Sequence, residues 1–141
     1  MNDNSENLFF CVAKDPYNHI MHIMCNRWKP YLIRAMDFED EEGMRFSTFK
    51  KRLPISERVL AMNLKALQSD GIIIKEVFAE VPVRVEYKLT ELGKTLCPIL
   101  DSMYKWGWED MKRKNIEVDP LGEMWHGYRE KDEELMREPF K

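Results

Sequence analysis

His19, His22 and Cys25 are spaced H-x2-H-x2-C, residue types that bind transition metals. On a helix His19 and His22 are neighbours at i and i+3. Cys25 is rotated by about a further 60° and reaches the same ion only if the helix ends before it. A structural zinc would need a fourth ligand, from His126 or a carboxylate. The spacing matches no finger pattern, so the two histidines read better as interface residues, and no metal or cofactor is expected. Of the three cysteines, Cys11 is the candidate redox residue, because a sensor needs an exposed thiol of low pKa. Cys97, beside Pro98, reads as packing. The chain has no glycine-rich phosphate loop and no Gly-x-Ser-x-Gly elbow. No pair of acids sits in the apolar context that acid/base catalysis needs. An enzyme is therefore not expected.

The chemistry that remains is charge. The 141 residues carry a net charge of −3, with 44% hydrophobic and 33% charged residues, as in an ordinary globular protein. Between Arg45 and Lys88, however, nine basic residues stand against five acids. The acids concentrate on either side, from Asp37 to Glu42 and from Glu109 onward. A basic centre in an acidic chain points to a polyanionic partner. No apolar run approaches the roughly 20 residues of a membrane helix, so no membrane partner is expected. Two acids precede the first apolar patch, unlike an export signal. The odd cysteine count suits a reducing cytoplasm, which is the expected location.

The elements that must position these charges follow from periodicity. Ser5–Ala13 reads as a short helix, and Pro16 opens another over 17–24. Asn26 caps a third, in which Trp28, Leu32, Ala35 and Met36 share one face. Residues 44–46 read as a brief strand. Ser47 caps a small helix over 48–52, and Ser56 caps another over 57–69 that stops at Asp70-Gly71. "IIIKEVFAE" and "VRVEYKL" read as two strands joined through Pro82. Thr90 caps a long helix with a stripe of Leu92, Leu96, Ile99, Met103 and Trp106, kinked at Pro98.

A brief strand, two helices and a hairpin make a winged helix-turn-helix. At about 100° per residue, Leu60, Leu64 and Leu67 cluster on one face of the 56–69 helix. Arg58, Ala61, Met62, Lys65 and Ser69 form the opposite face, which holds no acid. Cations pair with phosphates or guanine edges, and small residues allow close approach to a groove. Lys51, Ser56, Arg58, Lys65 and Arg84 are thus the candidate contacts to phosphate or base edges. Ala61 and Met62 lie against the groove floor. Arg84, at the mouth of the hairpin, reaches the flanking backbone or minor groove; the alternative is a surface arginine paired with Glu80 or Glu86.

The stretch from Asp15 to Trp106 resembles the HxlR-type transcriptional regulators, winged-helix relatives of the MarR group. The resemblance rests on Trp28-Lys29, Arg45-Phe46, Ile55-Ser56, Arg58, Asp70-Gly71, and above all the string Pro82, Arg84-Val85-Glu86-Tyr87, Leu89-Thr90 and Gly93. It implies a cytoplasmic homodimer on double-stranded DNA, with 56–69 as recognition helix and the hairpin as wing. The helix from Thr90 and the N-terminal helices would form the dimer. Many members carry a cysteine-proline pair where this chain has Asp15-Pro16, so the redox role does not pass to Asp15.

The expected fold is α+β, mainly α: dimer-contact helices over 1–26, a winged helix-turn-helix core over 27–89, and a long dimerisation helix with a charged tail over 90–141. Alanine and methionine at 61 and 62 offer no hydrogen bonds to bases, which keeps open a winged-helix module that binds another protein. A ligand- or redox-responsive sensor is the other alternative, its small-molecule effector held between long helices by Trp28, Tyr31, Met103 and Trp106.

Overall fold

The computed structural model describes residues 14–24, 26–38 and 43–117. The expected helix over 5–13, Cys11, Cys25 and the tail beyond 117 lie outside the described residues. Among the described residues eight elements follow in order: α1 (Pro16–Met24), α2 (Lys29–Phe38), α3 (Phe46–Arg52), α4 (Glu57–Ser69), β1 (Ile73–Phe78), β2 (Arg84–Leu89), α5 (Glu91–Lys94) and α6 (Cys97–Arg113). The composition of elements is that of a winged helix-turn-helix, mainly helical with one small sheet.

The start of α2 follows from Asn26. Its Oδ1 accepts hydrogen bonds from the backbone N–H groups of Trp28 and Lys29, both at 2.9 Å. Pro30 falls in the first turn, where its missing N–H costs nothing. Leu32, Ala35 and Met36 are buried as their spacing requires, and Ile33 is fully buried beside them.

Ser56 caps α4 by accepting from Val59 N at 3.2 Å, and Glu57 sits favourably in the positive first turn. Gly71, at φ +74°, ends the helix in the left-handed conformation that favours glycine. Leu60, Leu64 and Leu67 are at most 1% exposed, and burying each contributes about 1.5–3 kcal/mol. Around them the core gathers Leu32, Ile33, Met36, Phe49, Leu53, Ile55, Ile73 and Leu89.

β1 and β2 are antiparallel, in a register that sets Ile73 against Leu89, Glu76 against Glu86, and Phe78 against Arg84. Ile73 and Leu89 turn into the core. Phe49 of α3 meets the Tyr87 ring edge-on at 6.5 Å.

Three local expectations differ from the structure. The brief strand is a single bridge, in which Met44 and Tyr87 exchange two backbone hydrogen bonds of 2.8 Å; Phe46 already belongs to the helix. Ser47 is not the cap of α3. That helix starts two residues earlier, at Phe46 behind Arg45, with no side-chain cap, and it buries Phe49 in the core. Thr90 caps only the short α5, by accepting from Gly93 N at 3.0 Å. The chain then turns at Thr95–Leu96, and α6 begins afresh with Pro98 in its first turn. Proline thus starts a helix where a kink was expected, since it lacks only a donor that a first turn leaves unused.

The stripe expected on the long helix is also largely reversed. Leu92, Ile99, Met103 and Trp106 are exposed, while Cys97 and Leu100 are buried. Facing α2, Tyr104 of α6 stacks on the guanidinium of Arg34 at 4.0 Å, and Asp101 lies 3.7 Å from the same group. These contacts, with Phe38 at 5.5 Å, compensate a cation that is 5% exposed.

Candidate nucleic-acid interface

Helix α4 owes its outward face to its inward one. With its leucines buried, the same rotation turns Glu57, Arg58, Ala61, Met62, Lys65 and Ser69 to solvent. Met62 is 59% exposed, high for a thioether unless something is to cover it. Among the described residues, no ion pair or hydrogen bond engages the charged heads of Arg58 or Lys65. Lys51, exposed in the last turn of α3, is equally unengaged. Its neighbour Lys50 instead donates from Nζ to the carbonyl of Ile55, bracing the link between α3 and α4. From Arg45 to Ser69 six basic residues face one acid. The outward side of α4 thus carries two unengaged cations with a small and an apolar residue, Ala61 and Met62, between them.

The hairpin is built differently. On its outer face Arg84 donates from Nη1 to Glu86 at 2.9 Å and from Nη2 to Glu80 at 3.1 Å. Its guanidinium lies 3.9 Å over the Phe78 ring. Desolvation, which lowers its pKa, is outweighed by the hydrogen bond and charge of Glu80 and then those of Glu86, which hold it above the usual arginine value. Lys88 pairs with Glu76 at 2.7 Å. The two strands carry a balance of three cations and three acids together with their loop, and the loop exposes Val81 and Val83. In this structure Arg84 is therefore paired with both acids that the alternative reading named.

The residues weighed for an effector come from α6 and from the start of α2. Trp28 and Tyr31 pair at a centroid distance of 6.1 Å, with Arg27 4.9 Å over Trp28. Met103 and Trp106, each 57% exposed, lie on the outward side of α6, opposite the Tyr104–Trp108 pair at 6.0 Å. Cys97 is buried, with its thiol 3.9 Å from the Gly93 carbonyl, and lacks the exposure of a sensor.

Asn63 was not singled out from the sequence. It is 5% exposed, yet it sits on α4 between the solvent-facing Met62 and the buried Leu64. Its Nδ2 donates to Val59 O at 2.8 Å, and its Oδ1 accepts from Asn26 Nδ2. The available clue was an amide flanking a leucine stripe, a place where an unbonded polar group is costly.

A model of the HxlR-like helix-turn-helix family matches residues 23–115. The chain is 37% identical over 106 residues to an HTH-type transcriptional regulator of Methanothermobacter thermautotrophicus, covering 74% of this chain and 76% of that protein. Among solved structures it is similar to the reduced form of the redox regulator HypR, at 36% identity and a TM-score of 0.63, over 70% of this chain and 94% of that one. It is also similar to a protein described as a MarR-family transcriptional regulator, from Porphyromonas gingivalis W83. There the identity is 36% and the TM-score 0.62, over 68% of this chain and 92% of that one.

Proposed function

The chain belongs to the HxlR-like helix-turn-helix family and is a transcriptional regulator; from that premise we propose that it is a cytoplasmic homodimer that binds double-stranded DNA sequence-specifically through α4. The observation that carries this reading is the outward side of α4, where Arg58 and Lys65 stand unpaired around Ala61 and Met62. Ser56, at the N-terminus of the same helix, and Lys51, at the end of α3, extend the phosphate-binding surface. Ala61 and Met62 offer apolar contact to thymine methyls. Arg84 joins the interface only by exchanging its two carboxylates for phosphate.

Homodimerisation is supported by α6. Tyr104 and Leu100 pack one side of it on the core, yet Ile99, Met103 and Trp106 leave a second apolar side uncovered. A twofold dimer that reads two half-sites needs its two copies of α4 about one DNA turn, ~34 Å, apart.

The test is a salt titration of duplex binding. Arg58→Ala and Lys65→Ala are expected to weaken binding, and each to reduce the slope of log K against log salt by about one per subunit. Unchanged affinity with an unchanged slope would remove α4 as the DNA-binding element and favour a protein-binding module.

The likeness to HypR favours a second layer, a redox- or ligand-responsive regulator with Cys11 as the thiol and Trp28, Tyr31, Met103 and Trp106 as the effector contacts. Loss of oxidant sensitivity of duplex binding in Cys11→Ser would support it, and equal sensitivity in the wild type and Cys11→Ser would remove Cys11.

A further inference from the structure

Asn26 and Asn63 stand 37 residues apart in sequence and are joined by their side chains. We propose that this pair sets the rotation of α4, so that Asn63 is a positioning residue for DNA recognition acting through Asn26; the inference rests on the DNA-binding reading above.

The argument begins with what Asn63 does not do. Leucines at 60, 64 and 67 bury themselves on the same helix, and an apolar residue at 63 would extend that stripe without an amide to satisfy. Asparagine is also a poorer helix former than leucine. Stability alone therefore does not call for it. An amide adds direction: apolar contacts tolerate a small slide or roll, because hydrophobic burial is non-directional, whereas a hydrogen bond weakens steeply with angle. Asn63 uses Nδ2 on Val59 of its own helix, at 2.8 Å. Its Oδ1 is left for Asn26.

Asn26 is a junction in its own right. Its Oδ1 holds the first two amides of the turn into α2. Its backbone N–H donates to the carbonyl of Met24, the last residue of α1, at 2.9 Å. One residue thus joins the end of α1 through its backbone, and the start of α2 and the middle of α4 through its side chain. A roll of α4 that redirects Arg58, Met62 and Lys65 must break the amide pair and strand Asn63 in a nearly closed site. Contacts to base edges need their donors held within about 0.5 Å and 10–20°, whereas phosphate contacts are more forgiving. The pair should therefore govern selectivity more than overall affinity for DNA.

The experiment uses the full chain as wild type, Asn26→Ser, Asn63→Leu and the double variant. Serine keeps the cap on α2 but is too short to reach Asn63. The probes are a duplex selected by the wild type from a random pool, and the unselected random duplex. Asn63→Leu is expected to keep its thermal midpoint at or above wild type and to bind the selected duplex about tenfold more weakly. Its affinity for random duplex and its salt slope should stay unchanged. Asn26→Ser should lose a similar factor, and the double variant no more than either alone, because both break one contact. Without DNA, hydrogen exchange at the Trp28 and Lys29 amides should speed up in Asn63→Leu, which frees the Asn26 side chain. Equal selected-over-random ratios in wild type, Asn26→Ser and Asn63→Leu, or equal amide protection, overturn the positioning role alone. A wild type that selects no duplex overturns the DNA reading itself and this role with it.

Discussion

Arg58, Lys65 and Arg84 are three cations with two different fates. The first two protrude from a helix whose other side is buried, so their exposure follows from the helical period and was legible in the sequence. Arg84 is caught between Glu80, four residues back, and Glu86, two residues on. Both pairings were conceivable from sequence. That both formed at once depended on the strand pairing that places Arg84 opposite Phe78 and on the turn that brings Glu80 round. The two acids are also unequal. Glu86 is held under Gly43, where an added Cβ would lie 2.7 Å from the Glu86 Cβ, whereas the Glu80 side chain is 53% exposed on the loop. Glu80 is thus the acid that competes with phosphate for Arg84. Glu80→Gln is expected to tighten duplex binding and to steepen the salt slope by about one per subunit, as read by a salt-titrated binding assay. Weaker binding with an unchanged slope would show that Arg84 only braces the hairpin.

At the scale of elements, the dependable readings were those in which several local signals agreed. For α4 these were a serine cap, a leucine stripe and a glycine stop. For the hairpin they were two β-branched runs with proline between them. The errors came where a core residue outweighed a local cap. Phe49 is fully buried, and α3 begins at Phe46, so that Ser47 lies inside the helix rather than at its cap. Likewise Thr90 did cap a helix, but one of four residues, which packs closely against the chain entering the wing. At Gly93 a Cβ would stand 2.1 Å from the Ile72 carbonyl, while Thr90 Oγ1 donates to the carbonyl groups of Gly71 and Ile72 there. Gly93→Ala is expected to cost about 1–3 kcal/mol by overpacking. Ser56→Ala should cost about 1 kcal/mol through the lost cap. Urea denaturation of each variant measures both, and a Gly93→Ala chain as stable as wild type would show that α5 can move away from the wing.

For the whole molecule the decisive feature is a helix with two apolar sides. Helix α6 gives one to α2 through Leu100 and Tyr104 and leaves Ile99, Met103 and Trp106 to solvent. An exposed apolar stripe of this kind marks an interaction site. Met103→Asp is expected to shift the chain toward monomer in sedimentation velocity. Duplex affinity should fall with it, because two half-sites are then bound independently. Its fold should persist, since Met103 supports nothing in the core. A Met103→Asp protein that sediments as the wild type does would remove this side of α6 as a subunit interface.

By itself the sequence determined the order of α1 to α4 and of the two strands, the leucine face of α4 and the cationic character of the face opposite. Each depends on residues close together in the chain, where the 3.6- and 2-residue periods and the caps operate. Only the tertiary structure decided which side of α6 the core would take, that Arg84 would be held by two acids, and that Asn26 would reach Asn63. Those outcomes hinge on contacts between residues far apart in sequence or across a turn, where packing and hydrogen-bond direction select among arrangements that the local patterns leave equivalent.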